Sequence, residues 1–197
     1  MHERVEHGSW LHGQLRDVAS ELVGIDVSPG GIRAAAEQGF EVHLADCEDA
    51  ASIASLALEP ADLVLAGELI EHLSAPGRML DAARPLVRAG GEMMVTTPNA
   101  HALTNVLAGI AGLELVNSDH VGWQSWWTLT EMLRRHVYTV TDVAYYPYPH
   151  LTSGPATPPA HRLRVRAFNG YLTAARPLYR LRPSLAEGLI VSATPTG

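Results

Sequence analysis

Glu68-Leu69-Ile70-Glu71-His72 sets two carboxylates and an imidazole at positions i, i+3 and i+4. On a helical turn those positions share one face, so the three polar groups would converge just beyond the apolar run from Asp62 to Ala66. Two further acids close short apolar runs: Leu22-Val23-Gly24-Ile25 ends at Asp26, and the run from Phe40 to Leu44 is followed by Asp46. Thr97-Pro98-Asn99 follows the run from Glu92 to Thr96, and Asp119-His120 precedes Trp123, Trp126 and Trp127. Carboxylates and imidazoles accept from hydroxyl and amino groups or move their protons. These residues are therefore the candidates for binding and chemistry.

The elements that must position them are read from periodicity. Trp10, Leu11, Leu15 and Val18 recur at helical spacing, which predicts a helix over 9–21. Strands are expected at 22–26, 40–44, 62–66, 92–96 and 138–146, with helices near 48–57, 101–111 and 128–136 between them. Ser28-Pro29 reads as an N-cap with proline at the first helical position, and Gly39 as the end of that helix. Pro76 starts another helix that ends before Gly90-Gly91. Strands separated by helical stretches predict an α/β fold, a parallel sheet with helices on both faces. In such sheets a ligand lies outside the carboxyl ends of the strands, where Asp26, Asp46, Gly67-Glu68 and Thr97-Pro98-Asn99 fall.

The first 146 residues read as the core, and residues 147–197 as a proline-rich loop, an Arg-rich helical segment and a last strand of the same domain. The helix expected over 161–180 is interrupted near Gly170, and the strand is expected at 189–193. The chain has 197 residues, enough for one domain with a sizeable core. Its formal net charge of -7 argues against a general nucleic-acid binder. The charge is uneven: residues 1–150 carry eight arginines against twenty acids, and residues 151–197 carry six arginines against Glu187 alone. That basic tail could take a phosphorylated or sugar-nucleotide substrate, lie on an anionic membrane surface, or complement the acidic body. Cys47 is the one cysteine, so no intrachain disulfide and no Cys-based zinc site can form, which fits a reducing cytoplasm. No apolar run reaches the roughly 18–20 residues of a membrane span.

Val23-Gly24-Ile25-Asp26-Val27-Ser28-Pro29 resembles the second strand of class I S-adenosylmethionine (SAM)-dependent methyltransferases, a Rossmann-like fold. The resemblance assigns Asp26 to the ribose hydroxyls of SAM, with Val27 and Ser28 beside it; one carboxylate can accept from two vicinal hydroxyls. Ala45-Asp46-Cys47-Glu48 is similar to the segment after the third family strand, where the acid accepts from the adenine amino group and the next backbone meets the ring. Asp62 to Glu68 resembles the strand under the methionine part of SAM, which puts Gly67 and Glu68 at that end. Leu86 to Asn99, with Gly90-Gly91, resembles the late glycine-strand signature, although Arg88-Ala89 replaces the usual basic residue and proline. The resemblance covers roughly residues 9–145 and implies a SAM-dependent methyltransferase acting on a small molecule or glycan, with oxygen favoured over nitrogen or carbon as the acceptor atom.

The E-x-x-E-H spacing further resembles small-RNA 2′-O-methyltransferases and the ubiquinone-pathway O-methyltransferases. That resemblance implies Glu68, Glu71, His72 and His120 as ligands of a divalent metal, with Mg, Mn or Zn suited to mixed oxygen and imidazole donors, and Glu71, His72 and His120 on the acceptor side. Elsewhere in the superfamily E-H-L merely caps its turn and shapes the pocket. The three tryptophans read as core packing, against the alternative of an aromatic wall over the acceptor. The family also opens with a strand ending in a glycine-rich loop, and nothing of that type precedes Trp10; His7-Gly8 reads as its remnant. The sequence therefore reads as shortened at its N-terminus and lacking the central first strand. Lower thermal stability than a version carrying that strand is the expectation. A NAD-type oxidoreductase and a degenerate, non-catalytic binding module stay open as alternatives.

Overall fold

A computed structural model of the chain describes residues 11–154 and 157–196. His7-Gly8 and Trp10 lie outside the described residues. A short helix, α1 (Leu11–Leu15), precedes strand β1 (Val23–Asp26). Helix α2 (Pro29–Glu37) starts at the Ser28 N-cap, whose hydroxyl accepts from Gly31 N at 3.2 Å. Gly39, at φ +77, turns the chain from α2 into β2 (Glu41–Leu44). That left-handed conformation costs glycine nothing. Asp49 caps α3 (Ala50–Ser55) by accepting from Ala51 N at 3.1 Å.

The second half of the fold begins at β3 (Ala61–Gly67), followed by a 3-10 turn over Ile70–His72 and helix α4 (Pro76–Ala83). Strand β4 (Val87–Pro98) is longer than its apolar core predicts, because its first residues extend through Gly90-Gly91. Gly91 is needed there: a Cβ would come within 2.9 Å of the Ala61 and Asp62 carbonyl oxygens. Helix α5 (Leu103–Ile110), helix α6 (Trp126–Arg135) and strand β5 (Tyr138–Tyr146) follow, α6 being held by a Ser125–Thr128 capping box. Helix α7 (Pro159–Leu181) leads through a 3-10 turn to β6 (Gly188–Pro195).

The α/β fold is present, but the strand directions depart from the parallel expectation. β1 pairs with β2 and β3 with β4 in parallel, whereas β6 runs antiparallel between β4 and β5. Among the described residues the strands form two sheets, β1-β2 and β3-β4-β6-β5. Alternation of strands and helices predicts parallel pairing only where a helix carries the chain back across the sheet. α7 instead returns it at the end where β5 finishes, so Tyr146 and Gly188 stand side by side. α7 also crosses Gly170 without interruption, since that residue faces open space and the helix on either side is anchored by buried Val165, Leu172, Ala175 and Tyr179. The main core lies on the larger sheet, with Met93, Val95, Leu189 and Val191 of the strands against Leu129 and Leu133 of α6. Burial of such side chains stabilises by about 1.5–3 kcal/mol each.

Between the two sheets stands α1. A Cβ on Gly24 of β1 would come within 3.0 Å of His12 Cε1, and one on Gly67 of β3 would overlap Leu11 Cδ2 at 2.5 Å. The His12 ring meets Phe40 edge-on, with centroids 5.2 Å apart, and the Arg16 guanidinium lies 3.5 Å over the same Phe40 ring. Burial first, and the Arg16 charge second, hold His12 below the ordinary histidine value of 6.5. A histidine depressed in the folded state binds its proton more readily when unfolded. Its contribution is therefore intact above pH 6.5 and lost as the pH falls through that value toward the folded one. We expect the thermal midpoint of wild type, relative to His12→Gln, to drop between pH 7.5 and pH 5; a constant difference across that range would contradict this.

Candidate active site

The carboxyl ends of β1 to β4 gather the candidate residues. Asp26 is paired in register with Leu44, and Ala45 N donates to the Asp26 carbonyl at 3.2 Å, so Asp46 follows directly beyond the end of the neighbouring strand. Each acid ties down its own turn: Asp26 Oδ1 accepts from Ser28 N at 2.6 Å, and Asp46 Oδ1 accepts from Glu48 N at 2.9 Å. Asp26 is half-buried and Asp46 exposed, while Val27 projects into solvent. Cys47 packs against the main core; burial, with the Asp46 and Glu48 charges adding to it, raises its thiol to about 11. At that value it is a neutral thiol at physiological pH. The Glu48 side chain accepts from the Ala75 backbone N–H just before α4, so it fastens the end of β2 to the entrance of α4.

Beyond β3 the two glutamates part company. Glu68 has a left-handed backbone (φ +49), uncommon for a residue with a side chain. Its N–H donates to the Thr96 carbonyl at 2.9 Å and meets the Thr96 hydroxyl at 3.1 Å. The Thr96 hydroxyl also approaches Glu68 Oε1 at 3.2 Å, and the Tyr146 hydroxyl donates to the same oxygen at 2.8 Å. Glu71, inside the 3-10 turn, is 2% exposed and accepts from the Thr97 hydroxyl at 2.9 Å. The helical spacing predicted Glu68, Glu71 and His72 on one face. That expectation is corrected: the helical turn spans only Ile70–His72, and the left-handed conformation at Glu68 turns its side chain to other partners.

Glu71, His72 and His120 do come together, with one ligand atom from each within 4.8 Å of the others. The loop bearing His120 is pinned to the 3-10 turn, because Val121 N and Gly122 N donate to the Glu71 carbonyl at 2.8 and 3.1 Å. His72 Nδ1 faces the Asp119 carbonyl at 3.2 Å, and its ring meets that of His120 edge-on at 4.7 Å. Burial raises the Glu71 carboxyl above the usual carboxylate range, against the bonds and the His72 charge that favour its ionised form. The trio can therefore accept or hold a proton, or offer oxygen and nitrogen to a cation. Glu68 is outside it.

Other expectations fare differently. Trp123, Trp126 and Trp127 are 37%, 41% and 66% exposed, so the core-packing reading is corrected; Trp126 and Trp127 pack chiefly edge-on to each other. Within α6 the buried positions are Leu129 and Leu133, one and two turns past the tryptophans. Asn99, expected only as a strand-end polar group, is buried and donates to the Ser184 and Ala186 carbonyls. The spacing of polar residues did not reveal Thr96, Thr97 or Tyr146 as partners of the two glutamates. Thr97 carried one signal, its place in the polar group closing β4. Thr97→Val should leave the buried Glu71 short of a donor and destabilise the fold by about 1–3 kcal/mol, whereas Thr97→Ser should retain most of the stability. Urea unfolding of the two variants checks this, and equal losses would count against the bond.

A family model described as a methyltransferase domain matches residues 6–143. The ubiquinone biosynthesis O-methyltransferase of Ralstonia nicotianae is 30% identical over 113 residues, covering 56% of this chain and 48% of that protein. The protein of the same description from Azorhizobium caulinodans is 33% identical over 121 residues, 55% of this chain and 44% of its own. The chain thus spans about half the length of these curated relatives. Among solved structures, magnesium protoporphyrin IX methyltransferase from Synechocystis, with bound SAH, aligns at TM-score 0.58 and 12% identity over 96% of this chain and 70% of its own. A SAM-dependent methyltransferase from Thermotoga maritima, described as a possible histamine N-methyltransferase, aligns at TM-score 0.60 and 13% identity over 92% and 76%. At these identities the structures speak for the fold. The family match over residues 6–143 carries the assignment: the chain belongs to the class I SAM-dependent methyltransferases.

Proposed function

We propose that the chain binds SAM across the carboxyl ends of β1, β2 and β3 and transfers its methyl group to an oxygen of a small molecule or glycan. The observation that carries this reading is the placement of Asp26 at the end of β1 and of Asp46 two residues past the end of β2, the strand that pairs with β1 in parallel. Two carboxylates there suit a nucleoside, Asp26 accepting from ribose hydroxyls and Asp46 from the adenine amino group. Val27, Ser28, Cys47 and Glu48 shape the same edge, and Gly67 and Glu68 flank the methionine end. Residues 1–146 form the cofactor-binding core, and residues 147–197 complete the same domain through β6.

SAM supplies an electrophilic methyl on a sulfonium, so the protein's task is positioning and help with deprotonation. Glu71, with its carboxyl raised by burial, is the proton acceptor, and His72 and His120 line the acceptor side. Oxygen as the acceptor atom rests on the distant O-methyltransferase relatives. The trio also suits a divalent cation, Mg, Mn or Zn, which would polarise an acceptor hydroxyl. Among the described residues no helix is long and apolar enough to cross a membrane.

Calorimetric titration tests the reading. SAM should bind the wild-type chain, NAD should give no heat, and Asp26→Ala and Asp46→Ala should each weaken SAM binding by about tenfold or more. Absence of SAM binding by wild type, or binding by both variants as tight as wild type's, would remove it. In the same preparations, metal analysis should find cation in wild type and little in Glu71→Ala; metal-free wild type would leave Glu71 with its proton-handling role alone.

A further inference from the structure

We propose that Tyr146, on the last residue of the edge strand β5, is a positioning residue that fixes the Glu68 carboxylate. The role rests on the reading of Glu68 as flanking the methionine end of the methyl donor. Tyr146 and Glu68 are 78 residues apart in sequence, yet the phenol donates to Glu68 Oε1 at 2.8 Å. The ring has a built seat: a Cβ on Gly188 would lie 2.1 Å from Tyr146 Cζ and 2.3 Å from Cε1, so only glycine lets the ring lie on β6. Gly188 is in register with both Tyr146 of β5 and Pro98 of β4.

Three features then define Glu68. Its backbone is anchored to Thr96 through N–H bonds, its φ is left-handed, and both Thr96 and Tyr146 approach the same carboxylate oxygen. Two donors on Oε1 fix the plane of the carboxylate, and with it the direction in which Oε2 points. A surface carboxylate without such donors would sample several rotamers and lose entropy on meeting a ligand. Burial, reinforced by the Glu68 charge, raises the Tyr146 phenol well above its ordinary value, so it remains a proton donor to Glu68 throughout the physiological range. Tyr146 acts through Glu68. Its effect should therefore be felt most by a ligand carrying positive charge beside that carboxylate.

The experiment uses the full chain with SAM, whose sulfonium is cationic, and SAH, whose thioether is neutral. Tyr146→Phe keeps the ring on Gly188 and removes only the hydroxyl. It should weaken SAM binding by about five- to tenfold and SAH binding by less, as measured by calorimetry. Glu68→Gln should do the same, and the double variant should bind SAM no worse than the weaker single one, since both remove one linked interaction. A merely structural tyrosine would lower the thermal midpoint and leave the SAM-to-SAH preference as in wild type, and that result overturns the proposal. So do losses that add in the double variant, or a Tyr146→Phe protein that binds SAM like wild type. If wild type itself fails to bind SAM while its melting is cooperative, the reading of the whole edge falls, and the role of Tyr146 falls with it. Wild-type binding with an indifferent Tyr146→Phe removes only the latter.

Discussion

β4 is fixed on both flanks, and the candidate site depends on that constraint. Parallel pairing with β3 sets Thr96 beside Gly67, and antiparallel pairing with β6 sets Thr97 beside Leu189. Successive residues of a strand point to opposite faces. Thr96 and Thr97 therefore serve different carboxylates, the first meeting Glu68 and the second donating to buried Glu71. A one-residue slip would exchange the two faces and leave Glu71 buried among apolar side chains without its donor. The register is held by the buried run Met93, Val95, Leu189 and Val191, so the same apolar packing that stabilises the sheet also decides which glutamate is dry and which is not.

Burial then divides the labour. Glu71 sits in the low-dielectric interior, and its carboxyl is raised, with a hydroxyl and a neighbouring imidazole compensating in part. Glu68 is only partly covered and is surrounded by hydroxyl donors. Two carboxylates three residues apart thus differ in what they can do: one is suited to taking a proton, the other to presenting a fixed negative charge. At β1 and β2, by contrast, Asp26 and Asp46 are alike: each spends one oxygen on a local turn, and neither is buried.

Much of this was legible from the sequence where a single element carries the signal. Ser28-Pro29 and Gly39 bracket α2 because capping and left-handed turns are local chemistry. The strand at Tyr138–Tyr146 follows from its β-branched and aromatic alternation. Asp26 and Asp46 fall at adjacent strand ends as expected, since each closes an apolar run. The illegible parts are those that depend on distant partners. The E-x-x-E-H spacing describes a helix, but the strand-to-turn junction at Glu68 takes a left-handed backbone because Thr96 offers both a carbonyl and a hydroxyl to its N–H. Trp123, Trp126 and Trp127 look like core from composition alone, whereas the positions available on the sheet are already filled by Leu129 and Leu133. The antiparallel entry of β6 is likewise set by where α7 returns the chain, which periodicity does not encode.

That entry ties the last residues of the chain to its candidate chemistry. β6 comes after the Arg-rich helix, yet it lies between β4 and β5, so its first residue touches both. Glu187, just before it, is buried and accepts from Tyr179 of α7 at 2.5 Å, with the Tyr171 hydroxyl at 3.2 Å. The Glu187 carbonyl accepts from Asn99 N at 2.7 Å, just past the end of β4. Helix α7, the end of β4 and the start of β6 are thereby joined through one acidic residue. Moving α7 would strain Glu187, shift Gly188 under the Tyr146 ring, and so disturb Glu68. The arginines that α7 exposes to solvent are thus carried on a helix whose buried side is joined, through Glu187, Gly188 and Tyr146, to the edge where the methyl donor is proposed to lie.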